Sequence, residues 1–552
     1  MKSTLTTCVD DVIQRLALSL QRYVGGTIVD ANPGVGLFSS KLHDFLKPRC
    51  HVLLEDKQNR YLKFLQPLLD APNSRYHLRD WTDQRLFDIS LFIKDGLLPD
   101  ADGYGGPPPT TDQPNNSTLI VVNGVFQQYP KGKMRELNGT YLKANEFATQ
   151  VRHGIGFPSR GPTRMLMWAN QTEKKPLLPR VVDHRTKIST YLEAHCDVEE
   201  IVGFEPQPKW SRRETKLDVE SNKRTAKSTK ENKIFIPWER KRKVQTDDKA
   251  DLSEVTRHWH QEVRELEEGF ASGKYQEYIG RPSKPPVKGK EEKYGFSSRS
   301  QPKTKHTDEF KRLNSLQRVL TGQNTDLRLT QKLADKQAEI DQLDLDSYSP
   351  DLSKSDRETL LTTIDAKTAA LKYEIDTIGS RNKYFRYFLL DDERRAFKMS
   401  PPLLQWDRRV AEPLTATTDE YHPATELSLL DFRAKEVNDL PITIHQAMYL
   451  ELMTSSLCQG RGPTNLQELK TIAPGAYEAL VPQVPALRDP RQGGRRDVDS
   501  VRNRTLTPKQ LVGLAVAWDN WALKPPMEYL LMSGPAEDMQ EFGRRRYSGA
   551  AI

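Results

Sequence analysis

The stretch from Thr27 to Phe38 constrains the fold more than any other. A β-branched, apolar run (Thr27 to Val29) ends on Asp30, then on the turn Asn32-Pro33-Gly34-Val35-Gly36. Leu37, Leu42, Phe45 and Leu46 follow at helical spacing. β-Branched residues suit a covered, pleated surface, so the run is read as a buried strand. Glycines let the backbone turn tightly and let a ligand approach the main chain, at the carboxyl end of a strand where open α/β sheets bind ligands. About 20 residues on, Val52-Leu53-Leu54 ends on Glu55, the place of an acid that accepts from ribose hydroxyls. Each half alone is common in α/β folds. Their spacing together favours a nucleoside-binding half-domain over a plain structural turn.

Residues from about 10 to 200 continue as alternating helix and strand. Val12, Ile13, Leu16 and Leu20 predict a helix packing on the first strand. Asn59 to Gln66 is expected to be helical and to stop at Pro67. Tyr76-His77-Leu78, Thr118 to Val122, Arg164 to Trp168 and Val198 to Val202 predict further strands, with a helix from Lys187 to Ala194 between the last two. Residues 99–117, rich in Pro, Gly and Asp, read as a loop. A first α/β domain is therefore expected over residues 1–203, with enough elements for one doubly wound sheet.

At 552 residues the chain has room for two or more domains. Only 36% of it is hydrophobic, so part of the length is expected to be solvated insert. A formal net charge of +8 favours a polyanionic partner, which charge alone does not name. Cys8, Cys50, Cys196 and Cys458 lie far apart, which argues against a disulfide framework or zinc site and suits a reducing compartment. No apolar run reaches membrane-spanning length, so no membrane association and no metal are expected.

Asp30-x-x-Pro33-Gly34-Val35-Gly36 followed by Leu53-Leu54-Glu55 resembles the fungal mitochondrial transcription factor B family. That family is related to the rRNA adenine-N6 dimethyltransferases, which bind S-adenosylmethionine. The fold implied is a Rossmann-like S-adenosylmethionine-dependent methyltransferase domain with a smaller helical C-terminal domain. The cofactor-binding residues implied are Asp30, Gly34, Gly36, Glu55, Asp80 and Asn123; Asp80 reads equally as a helix cap for Trp81-Thr82. The dimethylases usually open the turn with Gly-Pro-Gly, where this chain has Asn32. Their catalytic Asn-Leu-Pro-aromatic motif stands here as Asn123-Gly124-Val125-Phe126. In them the Asn side chain and the Pro carbonyl receive the target amino group, while the aromatic ring stacks on the flipped base. Loss of the proline frees the backbone, so no catalytic residue is assigned. Phe126 is read as a buried strand-end aromatic.

Residues 204–311 change composition to Pro, Lys, Ser and Arg and are expected to be a mostly disordered basic insert. Inside it, Ile234 to Trp238 precedes Arg240-Lys241-Arg242-Lys243, which reads either as an aromatic anchor beside phosphate-binding residues or as a solvated run. Residues 312–385 predict an antiparallel helical hairpin, its second helix opened by a capping box at Ser355 and Glu358. The family pattern covers neither stretch; together they form a large basic and helical insertion. Residues 386–435 are expected to return to the edge of the α/β domain and 436–526 to form the helical C-terminal domain. Thr507 caps its last helix, Pro508 takes the first helical position, and Trp518 and Trp521 are read as core. A flexible tail is expected over 527–552. Arg495, Arg496 and Lys524 join Arg240, Lys241, Arg242 and Lys243 as candidate nucleic-acid contacts.

The resemblance implies a transcription initiation factor of the mitochondrial matrix. Its partners would be the mitochondrial RNA polymerase and promoter DNA melted to a single strand. Met1 to Gln21 lacks early arginines and carries Asp10-Asp11, so it is not read as a transit peptide; mitochondrial placement comes from the resemblance alone. The rival readings are an active rRNA adenine dimethylase and a structural mitoribosome-associated protein.

Overall fold

Eight of the described strands hydrogen-bond into one sheet. The computed structural model describes residues 2–55, 61–80, 86–98, 115–123, 139–204, 213–242, 244, 254–279, 305–379, 381–421, 425–435, 442–458 and 464–526. In chain order the first domain runs α1 (Lys2–Leu20), β1 (Thr27–Ala31), α2 (Leu37–Leu46), β2 (Cys50–Glu55), α3 (Leu62–Leu69), β3 (Tyr76–Asp80) and α4 (Ile89–Lys94). It continues with β4 (Thr118–Val122), α5 (Gly139–His153), β5 (Thr163–Asn170), α6 (Gln171–Leu177), α7 (Lys187–His195) and β6 (Cys196–Gly203). The insertion holds α8 (Thr215–Glu231), α9 (Glu254–Ala271), the small ribbon β7 (Tyr278–Ile279) and β8 (Lys305–His306), then α10 (Asp308–Asp346), α11 (Lys354–Asp376) and α12 (Arg381–Lys398). The chain then gives β9 (Leu414–Thr415) and β10 (Leu427–Ala434), and the C-terminal helices α13 (Ile444–Cys458), α14 (Leu469–Ile472), α15 (Ala476–Leu480) and α16 (Pro508–Asn520).

The strand order in the sheet is β3-β2-β1-β4-β5-β10-β6-β9; strands β1 to β5 pair in parallel, and β1 to β4 is the place where the order reverses direction. One face of the sheet (Ile28, Leu119, Val121, Leu166) packs on α1 and α2 through Val12, Leu16, Leu20 and Leu42. The other face (Val29, Val52, Ile120, Met165, Met167) packs on α5 and α7 through Phe147, Val151, Ile188 and Leu192. Helices on both faces explain why these strands read as unbroken apolar runs. Helix α3 runs through Pro67 to Leu69 rather than stopping there; Leu65 and Leu68 pack beneath Gly36, which holds the last turn in place despite the missing N–H.

The return after the insertion differs from the expectation. Strand β9 takes the edge beside β6, but β10 enters between β5 and β6, antiparallel to both. It can be interior because Leu429, Leu430 and Phe432 are buried, and because its one buried acid has a partner. Arg164 on β5 forks onto Asp431 at 2.7 and 2.8 Å, with both side chains only 1% exposed.

The stretch 204–311 also departs from the expectation of a mostly disordered insert, since it contains α8 and α9. Helix α8 is held because Leu217, Ser221 and Thr225, four residues apart, line one buried face, and Val219 on another side is buried as well. Ser221 donates to Asp407 at 2.8 Å, and Asp407 also takes both arms of Arg213 at 2.8 and 2.9 Å. The hairpin of α10 and α11 forms as expected around Leu333, Ile340, Ile364 and Leu371, with α12 packed against it. Its second helix is capped two residues earlier than read, by Ser353 accepting from the Asp356 N–H at 3.1 Å. The C-terminal helices share a separate core around Leu450, Met453, Leu487, Leu514 and Trp518. Thr507 and Gln510 close the expected capping box on α16.

Removing one partner of a fully buried pair leaves the other charge uncompensated. Arg164→Met is therefore expected to cost about 3–5 kcal/mol, read as a drop in the urea midpoint. Arg164→Met combined with Asp431→Leu should recover most of that loss.

Candidate functional site

Asp30 lies one residue before the end of β1 and Asn123 one residue past the end of β4, on the two sides of the switch point, and that crevice is where an open α/β sheet binds its ligand. Asn123 donates through Nδ2 to Asp30 Oδ1 at 2.6 Å and to the Ala31 carbonyl at 3.3 Å, while its own N–H donates to the same carbonyl. Ser39, in the first turn of α2, donates to the other Asp30 oxygen. His51 Nε2, from β2, lies 3.6 Å from that oxygen. Asp30 is thus fully enclosed and orients the crevice rather than reaching into it.

The turn after β1 has the geometry its sequence called for. Asn32, Gly34 and Gly36 all adopt positive φ (54°, 59° and 77°), and the Asn32 N–H donates to the Leu54 carbonyl, binding the turn to β2. The two glycines have different reasons. A Cβ on Gly36 would stand 2.9 Å from Leu65 Cδ2, so close helix packing needs glycine there. A Cβ on Gly34 would meet nothing within 4 Å, so the backbone at Gly34 faces open space and is approachable. Glu55 closes β2, 2% exposed, in register with Asp80 on β3. An approachable backbone at Gly34 beside an acid at the end of β2 fits a nucleoside-bearing cofactor. Gly34 and Glu55 are the residues that would hold one.

Gly124, Val125, Phe126 and Lys243 lie outside the described residues, as do the Asp80 side chain and the tail 527–552. Among the described residues no helix is long and apolar enough to cross a membrane. Nor do any three His, Cys, Asp or Glu side chains among them group as a metal site.

No family model matches the chain, and no curated protein is significantly similar to it.

Beneath the crevice stands an aromatic stack that the sequence reading missed. The His43 ring lies 4.2 Å from the Tyr76 ring and 5.4 Å from that of His51, and the two imidazoles face each other through Nδ1 atoms 3.2 Å apart. Such a contact needs one N–H and one lone pair. Burial, then the neighbouring His51, pushes His43 down to about 4. The only sequence signal was a histidine interrupting the apolar run Cys50 to Leu54.

The expected phosphate-binding cations are mostly placed elsewhere. Arg240 is buried and binds Asp11 at 2.9 Å and Glu420 at 2.6 Å; Arg242 is buried and donates to the Phe204 carbonyl at 2.7 Å. Arg495 is buried between Asp341 and Asp391, with bonds of 2.7 to 3.0 Å. These three are structural clamps, so their assignment as phosphate contacts is corrected. Each meets an acid or carbonyl tens to hundreds of residues away, and a paired, dehydrated guanidinium offers nothing to a phosphate. Arg496 is exposed but forks onto Asp365 at 2.7 and 3.0 Å. Lys524 caps α16 by donating to the Asp519 carbonyl. Lys241 alone of the described members of the set is exposed without an ion pair among the described residues. A cavity of about 630 Å³ lies between the hairpin and the C-terminal domain, but its Arg357, Arg488 and Arg496 are balanced by Asp344, Asp365 and Asp497.

The depressed His43 makes a signed prediction. The unfolded chain takes up a proton near pH 6.5 that the folded chain refuses until about 4, so stability falls as pH drops through that window. Because His43 is only half-buried, the loss is expected to be about 1 kcal/mol. It is measured as the difference in urea midpoint between pH 7.5 and 5 for the wild type against His43→Gln. The comparison isolates His43 from Asp392 and Glu393, which burial raises to about 7 and about 8 and which act with the opposite sign.

Proposed function

We propose that this protein is a non-catalytic nucleic-acid-binding factor of the mitochondrial transcription factor B type. On this reading it acts in the mitochondrial matrix with the single-subunit mitochondrial RNA polymerase, recognises promoter DNA and holds the melted start site. The observation that carries the reading is the crevice between β1 and β4: Asn123 is fixed on Asp30 there, and Gly124-Val125 follows where adenine dimethylases carry Leu-Pro. A pocket framed for a nucleoside but without the rigid proline carbonyl is suited to bind an unpaired base and not to act on it. The mixed α/β sheet with its order 3-2-1-4-5 supports this, as does the net charge of +8. A reversed strand between β5 and β6 sets this sheet apart from the common dinucleotide-binding order, in which the sixth strand follows the fifth directly.

A second reading, S-adenosylmethionine-dependent dimethylation of rRNA adenine, is favoured by the open backbone at Gly34 beside Glu55. The cofactor would supply an activated methyl group; Gly34 and Glu55 would hold it, with Asp30 orienting Asn123 toward the target amine.

Two measurements separate the readings. In run-off transcription from a mitochondrial promoter with the cognate polymerase, the protein is expected to set the start site, and unchanged start-site selection sinks the first reading. In calorimetry the first reading expects no micromolar binding of S-adenosylmethionine. Such binding, accompanied by methyl transfer to an rRNA hairpin, establishes the second.

A further inference from the structure

The segment from Ile234 to Arg242 has two faces, and the arginines are on the inner one. Arg240 reaches the Thr415 carbonyl of β9 as well as Asp11 and Glu420, Arg242 reaches the Phe204 carbonyl after β6, and Ile236 packs on the core beneath α1 and α2. Gly203 pairs with Thr415, so these anchors fix the segment at the carboxyl rim of the sheet, the rim on which the crevice also opens. What the anchors push outward is aromatic. Trp238 is 82% and Phe235 64% exposed. Holding two large rings in water on a tightly fastened backbone forgoes the burial that a free loop would find for them. Isolated exposed apolar residues are ordinary; two within four positions, clamped from both sides, are not.

Their surroundings are cationic. Lys230 and Lys233 stand exposed at the end of α8, where Lys233 adopts a positive φ that turns the chain into the aromatic segment, and Lys241 follows Trp238. None of the three has an ion pair among the described residues. The exposed acids alongside are Glu231, which lies 3.8 Å from Lys227, and Glu239. Pro237, between the two rings, is extended (φ −53°, ψ 144°), which spaces Phe235 from Trp238 along the segment. Five strand spacings from β1 to β9 put this site about 24 Å from the crevice along one rim.

We propose that Phe235 and Trp238, with Lys230, Lys233 and Lys241, form a stacking platform for single-stranded nucleic acid, continuous along the sheet rim with the crevice. Aromatic faces take any base and lysines take the phosphates, so binding is tolerant of sequence and steeply salt-dependent. The proposal rests on the reading above for the role of a melted strand.

The test is fluorescence anisotropy of labelled oligo-dT of 16 nucleotides with the full chain. The Phe235→Ala/Trp238→Ala variant is expected to bind about 10- to 100-fold more weakly, with an unchanged thermal melt because neither ring is buried. Trp238→Phe should restore most of the affinity in a Phe235-containing chain. Lys230→Gln/Lys233→Gln should lower the slope of log affinity against log salt by about 1.4. No binding by the wild-type chain, wild-type affinity in the double alanine variant, or equal competition by blunt duplex each overturns the proposal. So does loss of polymerase co-elution with oligo-dT affinity intact, which would make the rings a protein-docking site. Run-off transcription with the wild type judges the proposed function separately: a factor that sets the start site while its double alanine variant binds oligo-dT normally keeps that function and loses this platform.

Discussion

Five consecutive ionisable residues buried on one helix hold the parts of this molecule together. Asp391 through Arg395 on α12 are all buried, and dehydrating charges is unfavourable unless each finds partners. The partners come from every side. Asp391 takes both arms of Arg495 from the C-terminal domain, and Arg395 donates to Thr505 and to the Gly493 carbonyl there. Glu393 accepts the Val182 N–H of the first domain, while Arg394 bridges Glu214 before α8 and Asp335 of the hairpin. Asp392 and Glu393 are pushed up to about 7 and about 8 by burial, helped by the neighbouring acids. The insertion is therefore no appendage. It is the joint at which sheet, hairpin and C-terminal helices meet.

Seen this way, what could be read from the chain and what could not follows a physical rule. The strand–turn–helix at Thr27 to Phe38, the strand Thr118 to Val122, the α10–α11 hairpin and the cap at Thr507 were legible, because each depends on residues within a few positions of one another. The roles of Arg240, Arg242 and Arg495 were not. A basic cluster looks the same in sequence whether its partners are phosphates or acids 154 or 229 residues away. The same holds for Asp431, whose buried partner Arg164 decides that β10 lies inside the sheet and not on its edge. At the candidate site, the glycine turn and Glu55 were readable from spacing, whereas the enclosure of Asp30 by Ser39, His51 and Asn123 needed three separate elements to converge.

The exposed surface is correspondingly selective. Three of the arginines that the sequence suggested for phosphate are spent on internal clamps, and the groups left outside near the sheet rim include three lysines and two aromatic rings. Arginine's planar fork suits buried, bidentate pairing; the compact, strongly hydrated ammonium of lysine is better left in solvent. This division lets one short segment serve both as a rivet and as a surface.

The position of β10 has a consequence for synthesis. About 220 residues separate the end of β6 from the start of β10, which at ribosomal speeds is roughly 10–45 s. During that time β5 and β6, which run in the same direction, have complementary open backbones and no strand between them. Direct closure of β5 on β6 gives a seven-stranded decoy with the slot for β10 already sealed. The native order therefore requires that β5 and β6 stay unpaired, or come apart again, until β10 has emerged.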